Sequence, residues 1–177
     1  MTQSRKLTIF ELVLMPVLGV LMFASKLLME FLPNIHLLGM FIMVFTLVFR
    51  YKALIPIYVY VMLVGLYGGF APWWWANLYT WTLLWGITML LPKQMPKRLS
   101  AVIYPLVCAL HGLCYGVLCA PTQALIFGLT WEGTLTWIAA GLSFDIVHGV
   151  GNLLTGLLIV PFVTLLNRLK QQYNRIA

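Results

Sequence analysis

Six long apolar stretches, separated by short polar, proline- or glycine-bearing breaks, leave this chain little choice of environment. The breaks fall at residues 33–34, 50–52, 69–72, 92–98 and 130–133, and they delimit segments 7–31, 35–49, 53–70, 73–91, 99–128 and 135–167. A hydrocarbon core ~30 Å thick takes about 20 helical residues to cross. The second segment, at 15 residues, is short enough to need tilt or deformation. The last two are longer than a crossing needs, so they extend past the bilayer or contain a break, for which Pro121 is the obvious candidate. The chain is 62% hydrophobic and 8% charged, whereas soluble globules carry about a quarter charged residues. The prediction is an all-α integral membrane protein, one domain over residues 1–177, built as a bundle of six transmembrane helices.

The charges fix an orientation. Arg5 and Lys6 precede the first segment, Arg50 and Lys52 follow the second, Lys93, Lys97 and Arg98 follow the fourth, and Arg168, Lys170 and Arg175 follow the sixth. If the segments alternate in direction, ten of the eleven basic residues fall on one side. Only Lys26, inside the first segment, departs from this, while Glu30 and Glu132 lie near the opposite connections. The positive-inside rule then puts both termini in the cytoplasm. The net charge of +7 thereby reports topology and removes nucleic acid as a partner. Arg5 and Lys6 run into the first apolar segment without an Ala-x-Ala-like cleavage site, so the first helix is expected to be retained.

Several chemistries are not expected. Cys108, Cys114 and Cys119 lack the Cys-x-x-Cys spacing of zinc or redox sites and read as small packing residues. No stretch outside the six segments is long enough to fold alone, and no Gly-rich phosphate loop ending in Lys-Ser or Lys-Thr occurs among the 177 residues. A process driven by ATP would therefore need its ATPase on another chain.

Polar residues inside the apolar segments are the candidates for function. In the sixth segment Gly141, Asp145, His148, Asn152 and Gly156 recur in steps of three and four, on one helical face. Lipid cannot satisfy such a face, so it must look into the bundle or a wet cavity, as a polar helix–helix lock or as a ligand contact. One Asp and one His three apart fall short of a metal site. Gly112, Gly116 and Ala120 form a small-residue ladder on the fifth segment, with His111 and Tyr115 offset from it. In the fourth segment Trp73, Trp74 and Trp75 suit an interfacial aromatic belt. Trp74, Asn77, Trp81 and Trp85 continue as a stripe descending ~16 Å, which fits either core packing or a flat heteroaromatic ligand held by rings and one amide. Lys26 and Glu30 form an i,i+4 pair, either neutralising each other or leaving Lys26 to meet an anionic substrate group.

With these residues in view, the chain resembles the substrate-binding S component of energy-coupling-factor (ECF) vitamin transporters. The last segment matches that family's Gly-x-x-Phe-Asp-x-x-His-x-x-x-Asn pattern through Gly141, Phe144, Asp145, His148 and Asn152. The likeness in layout covers the whole chain, and residue by residue it is specific along the sixth segment. The first segment departs from the family: it offers Gly19, Ala24 and Ser25 instead of an Ala-x-x-x-Ala docking repeat. The resemblance implies a multi-pass subunit of the bacterial cell membrane that captures a vitamin-like molecule from outside. The pocket would lie in the outer halves of segments four to six, capped by the connections near residues 31–34, 70–75 and 129–133. The subunit would then dock on a transmembrane coupling subunit carrying two ATPases and topple to release its cargo. Substrate contacts are expected among Lys26, Trp74, Asn77, Trp81, Trp85, Tyr115, Asp145, His148 and Asn152, with no catalytic residue, metal or cofactor. The tryptophans favour an aromatic or corrin-like ligand over an aliphatic one. The alternative is a small multi-pass membrane enzyme using Asp145, His148 and His111, for which neither a nucleophile–base pair nor a third metal ligand can be identified.

Overall fold

A computed structural model describes residues 7–93 and 95–176, with side chains described as far as residue 173. Arg5, Lys6 and the side chain of Arg175 lie outside the described residues. The elements are α1 (Ile9–Leu28), α2 (Leu38–Phe49), α3 (Leu54–Gly68), α4 (Pro72–Leu90), α5 (Lys97–Leu113), α6 (Tyr115–Phe127), α7 (Trp131–Gly156) and α8 (Ile159–Ile176). A 3-10 turn, Arg50–Ala53, joins α2 to α3, and no strand occurs among the described residues. Four helical runs are long and apolar enough to cross a membrane: Ile9–Leu28, Leu38–Gly68, Lys97–Phe127 and Trp131–Gly156. These are the spans a membrane protein requires. Among the helices outside that set, α4 dilutes its apolar residues with Asn77, Thr80, Thr82 and Thr88, and α8 carries Arg168 and Lys170.

Local chemistry starts and stops the helices. Thr8 and Glu11 form a reciprocal capping box at α1, with Glu11 N donating to Thr8 Oγ1 at 3.1 Å and Thr8 N donating to Glu11 Oε2 at 3.0 Å. Pro72 opens α4, where a missing N–H leaves no bond unmade. Thr130 Oγ1 caps α7 by accepting from Gly133 N at 3.1 Å. Gly128 ends α6 in the left-handed region (φ 63°) that glycine adopts without penalty.

The short second segment becomes α2, with 11 of its 12 residues buried. A helix apolar on every side is stable only when surrounded, and α2 packs against α4, α5, α7 and α8. The run Leu38–Gly68 is not one straight rod, because Arg50 sits at φ 56° between α2 and α3. The Arg50 side chain donates to Met89 O at 2.8 Å, and its carbonyl accepts from Trp85 Nε1 at 3.2 Å. Val61 O of α3 accepts from Trp74 Nε1 at 2.8 Å, at the other end of α4, so α3 and α4 run antiparallel. Antiparallel packing recurs along α7, where Asp145 meets Gly116, Asn152 meets Cys108 and Gly156 meets Pro105.

Basic residues from different breaks gather at one end. Lys52 Nζ lies 2.8 and 2.6 Å from the two carboxylate oxygens of Glu11, and Lys170 Nζ sits 5.5 Å from the Phe49 ring centroid. Lys26 occupies the last turn of α1, away from this cluster.

Two boundaries need correction. The fifth segment breaks at Cys114, with Pro121 carried inside α6. At this point the Gly116 N–H goes to the Asp145 carboxylate, at 3.0 and 3.1 Å, where an unbroken helix would give it to the carbonyl four residues back. The sixth segment splits into α7 and α8 at residues 157–158, and Pro161 sits in the first turn of α8, the part of a helix that tolerates proline.

Candidate functional site

At the end of the bundle opposite the basic cluster, a cavity of about 550 Å³ opens between α4, α6, α7 and the α1–α2 connection. That volume lies within the range of small-molecule sites, ~300–1,000 Å³. Four of the nine expected substrate contacts line it together: Asn77, Tyr115, Asp145 and His148. Helical repeat brings them to one place. On α7, Trp137, Gly141, Asp145 and His148 follow steps of four, four and three, and on α6 Tyr115, Cys119 and Gln123 follow steps of four.

Asp145, 6% exposed, anchors the site. Both its oxygens accept from Gly116 N, in the first turn of α6, where unpaired N–H groups and the helix dipole favour a carboxylate. A Cβ at position 116 would collide with Asp145 Oδ2, so this close approach requires glycine. The ladder glycine one turn earlier, Gly112, meets α7 in the same way: a Cβ there would lie 2.9 Å from His148 O.

Asn77 is fixed by two donors. Its Oδ1 accepts from Trp81 Nε1 at 2.9 Å and from Tyr115 OH at 3.2 Å. That assigns the amide orientation and leaves Nδ2 as the donor available to the cavity. Beneath the cavity the Trp81 ring lies 5.4 Å from Tyr115, 5.5 Å from His111 and 5.9 Å from His36. His148 stands 4.7 Å from His36 and 4.9 Å from Tyr115, centroid to centroid. The buried Nε2 of His148 has no hydrogen-bond partner among the described residues.

The other singled-out residues lie elsewhere. Trp74 faces α3 and is buried, with its N–H on Val61 O. Trp81 is 2% exposed and forms a layer under the cavity without lining it. Trp85 reaches back to Arg50 O near the basic end. Asn152 Nδ2 donates to Cys108 O at 3.1 Å and joins α7 to α5. Lys26 pairs with Glu30 at 3.4 Å and lines a smaller recess of about 210 Å³ behind the α1–α2 connection. His111 is buried, with Nε2 3.0 Å from Thr80 O, and does not line the cavity.

The lining also includes Asn34, Gln123 and Trp137, which were not singled out from sequence, and Trp73, which was read only as part of an interfacial belt. Trp137 carried a readable signal, one turn before Gly141 on the same face. Asn34 and His36 come from a connection whose fold back over α7 is a tertiary event. Among the described residues no group of three or more His, Cys, Asp or Glu is placed to hold a metal ion. Comparison of the chain with protein-family models, with curated proteins and with solved structures finds no match.

Proposed function

We propose that the chain is the membrane-embedded substrate-capture subunit, the S component, of an ECF-type importer. It takes up a vitamin-like small molecule and delivers it to a coupling subunit with two ATPases. One observation carries this reading. Gly141, Phe144, Asp145 and His148, four of the five residues behind the family resemblance, line a single cavity of ligand size. The fifth, Asn152, locks the same helix to α5. In this reading six segments cross the bilayer with both termini in the cytoplasm, and the cavity opens to the outside. The gathering of Arg50, Lys52 and Lys170 at the opposite end supports that orientation. An enzyme would want His111 beside Asp145 and His148, and His111 instead bonds to Thr80 away from the cavity, which favours capture over catalysis.

The test is a screen of vitamins and related heterocycles against the purified chain by tryptophan fluorescence, since Trp73 and Trp137 border the cavity. A saturable hit abolished by Asn77→Ala in folded protein supports the reading. A hit indifferent to Asn77 and Asp145 substitutions places binding elsewhere.

A further inference from the structure

The cavity has a one-sided charge inventory. Among its 16 lining residues Asp145 is the only acid, and none is Lys or Arg. The two side-chain ion pairs among the described residues, Lys26–Glu30 and Lys52–Glu11, both leave Asp145 out. Its one hydrogen-bond donor among those residues is the Gly116 N–H, while a carboxylate has about four acceptor sites. Lys26 lies in a recess that shares Pro33 and Asn34 with the cavity and is already matched by Glu30. The polar lining otherwise consists of neutral amides and hydroxyls with His148 and the Cys119 thiol, and the walls include Trp73, Tyr115, Trp137 and Phe144. Ring faces attract cations through their quadrupole. A buried carboxylate with spare acceptor capacity and no cationic partner is itself best satisfied by a positively charged donor.

We infer that the site takes a planar organic cation bearing at least one N–H donor, with the charged nitrogen on Asp145 and the ring among the aromatic walls. Asn77 Nδ2 would meet an acceptor elsewhere on the molecule. The inference rests on the capture reading and narrows its substrate class: anionic ligands are disfavoured by Asp145, and neutral ones leave its capacity unused.

The test uses three nearly isosteric probes of different charge, namely benzamidinium, benzamide and benzoate. Each is titrated into the purified full-length chain by calorimetry. Benzamidinium is expected to bind about tenfold or more tighter than benzamide, the difference between a charge-assisted and a neutral hydrogen bond, with benzoate weakest. Asp145→Asn should bring benzamidinium and benzamide to within about twofold of each other. Trp137→Leu, which leaves the Asp145–Gly116 contact alone, should weaken benzamidinium while the fold persists. Benzamide or benzoate binding as tightly as benzamidinium would overturn the inference, and so would saturable binding by none of the three. The wild-type ranking decides even if Asp145→Asn does not fold. Import is read separately. Cation preference without ATPase-dependent uptake would remove the import reading alone, and ATPase-dependent uptake of an anion would remove this inference alone.

Discussion

Asp145 and Asn152 lie on the same face of α7 and have different work. Asn152 is 1% exposed, and its amide donates to the Cys108 carbonyl of α5. Asn152→Leu removes the side-chain bond that joins α7 to the Cys108 carbonyl and should lower stability by about 0.5–1.5 kcal/mol, read as a fall in the thermal midpoint with benzamidinium affinity unchanged. Asn77→Ala should show the reverse emphasis. Asn77 and Tyr115, one of the two donors it strands, line the cavity, so probe affinity should drop further than the stability loss alone explains. Trp81→Ala belongs with the core substitutions: at 2% exposure, truncation should cost about 3–5 kcal/mol in the unfolding free energy. An undiminished midpoint for that variant would mean that Trp81 is not the packing layer beneath the site.

An ion pair between Glu11 and Lys52 ties α1 to the Arg50–Ala53 turn. Glu11 caps its own helix through Thr8 and binds Lys52, whose side chain is 4% exposed. Glu11→Gln takes the charge out of this contact, so it should destabilise by about 1.5–3 kcal/mol, the worth of a hydrogen bond to a charged group, while Glu11→Asp, which keeps the charge, should lose less. Denaturant titration in micelles checks both. That pair joins residues 11 and 52 of separate segments, and nothing in the linear sequence announced it. What was legible came from local rules. Apolar runs and Pro/Gly punctuation marked the first four helices to within a few residues, and i,i+3/i,i+4 spacing put Asp145 and His148 on one face. What was illegible came from tertiary partners. The break at Cys114 exists because Asp145, 29 residues ahead of Gly116, takes the amide a straight helix would have used. Trp74, Trp81 and Trp85 share a helical face, but each indole N–H goes to a different acceptor, on α3, within α4 and at Arg50. The stripe was a true periodicity, and its role was set by the helices around it.

At the scale of the whole molecule, the two ends of the bundle differ in chemistry. One holds Arg50, Lys52 and Lys170 on packed helix ends, and the other holds an aromatic-walled cavity floored by Asp145 and His148. If the basic end is cytoplasmic, a cysteine placed at Lys97 in intact cells should resist a membrane-impermeant thiol reagent and react only after lysis. The native Cys114 and Cys119 are first replaced, because they are not fully buried. Labelling from outside would invert the topology and put the cavity on the wrong side for capture. The same polarity bears on energetics. The cavity can hold a ligand, yet no phosphate-cradling loop occurs among these residues to couple that binding to ATP. Binding alone can only shift populations between states by its differential affinity, so accumulation against a gradient must draw work from elsewhere. If the chain works as the proposed S component, uptake by cells expressing it should require co-expressed coupling and ATPase subunits and vanish when the ATPases' phosphate-binding lysines are substituted, while equilibrium binding stays intact. Accumulation that persists with inactive ATPases would identify an ion- or potential-driven carrier. The buried histidines His111 and His148 would then be the first to substitute in search of its coupling path.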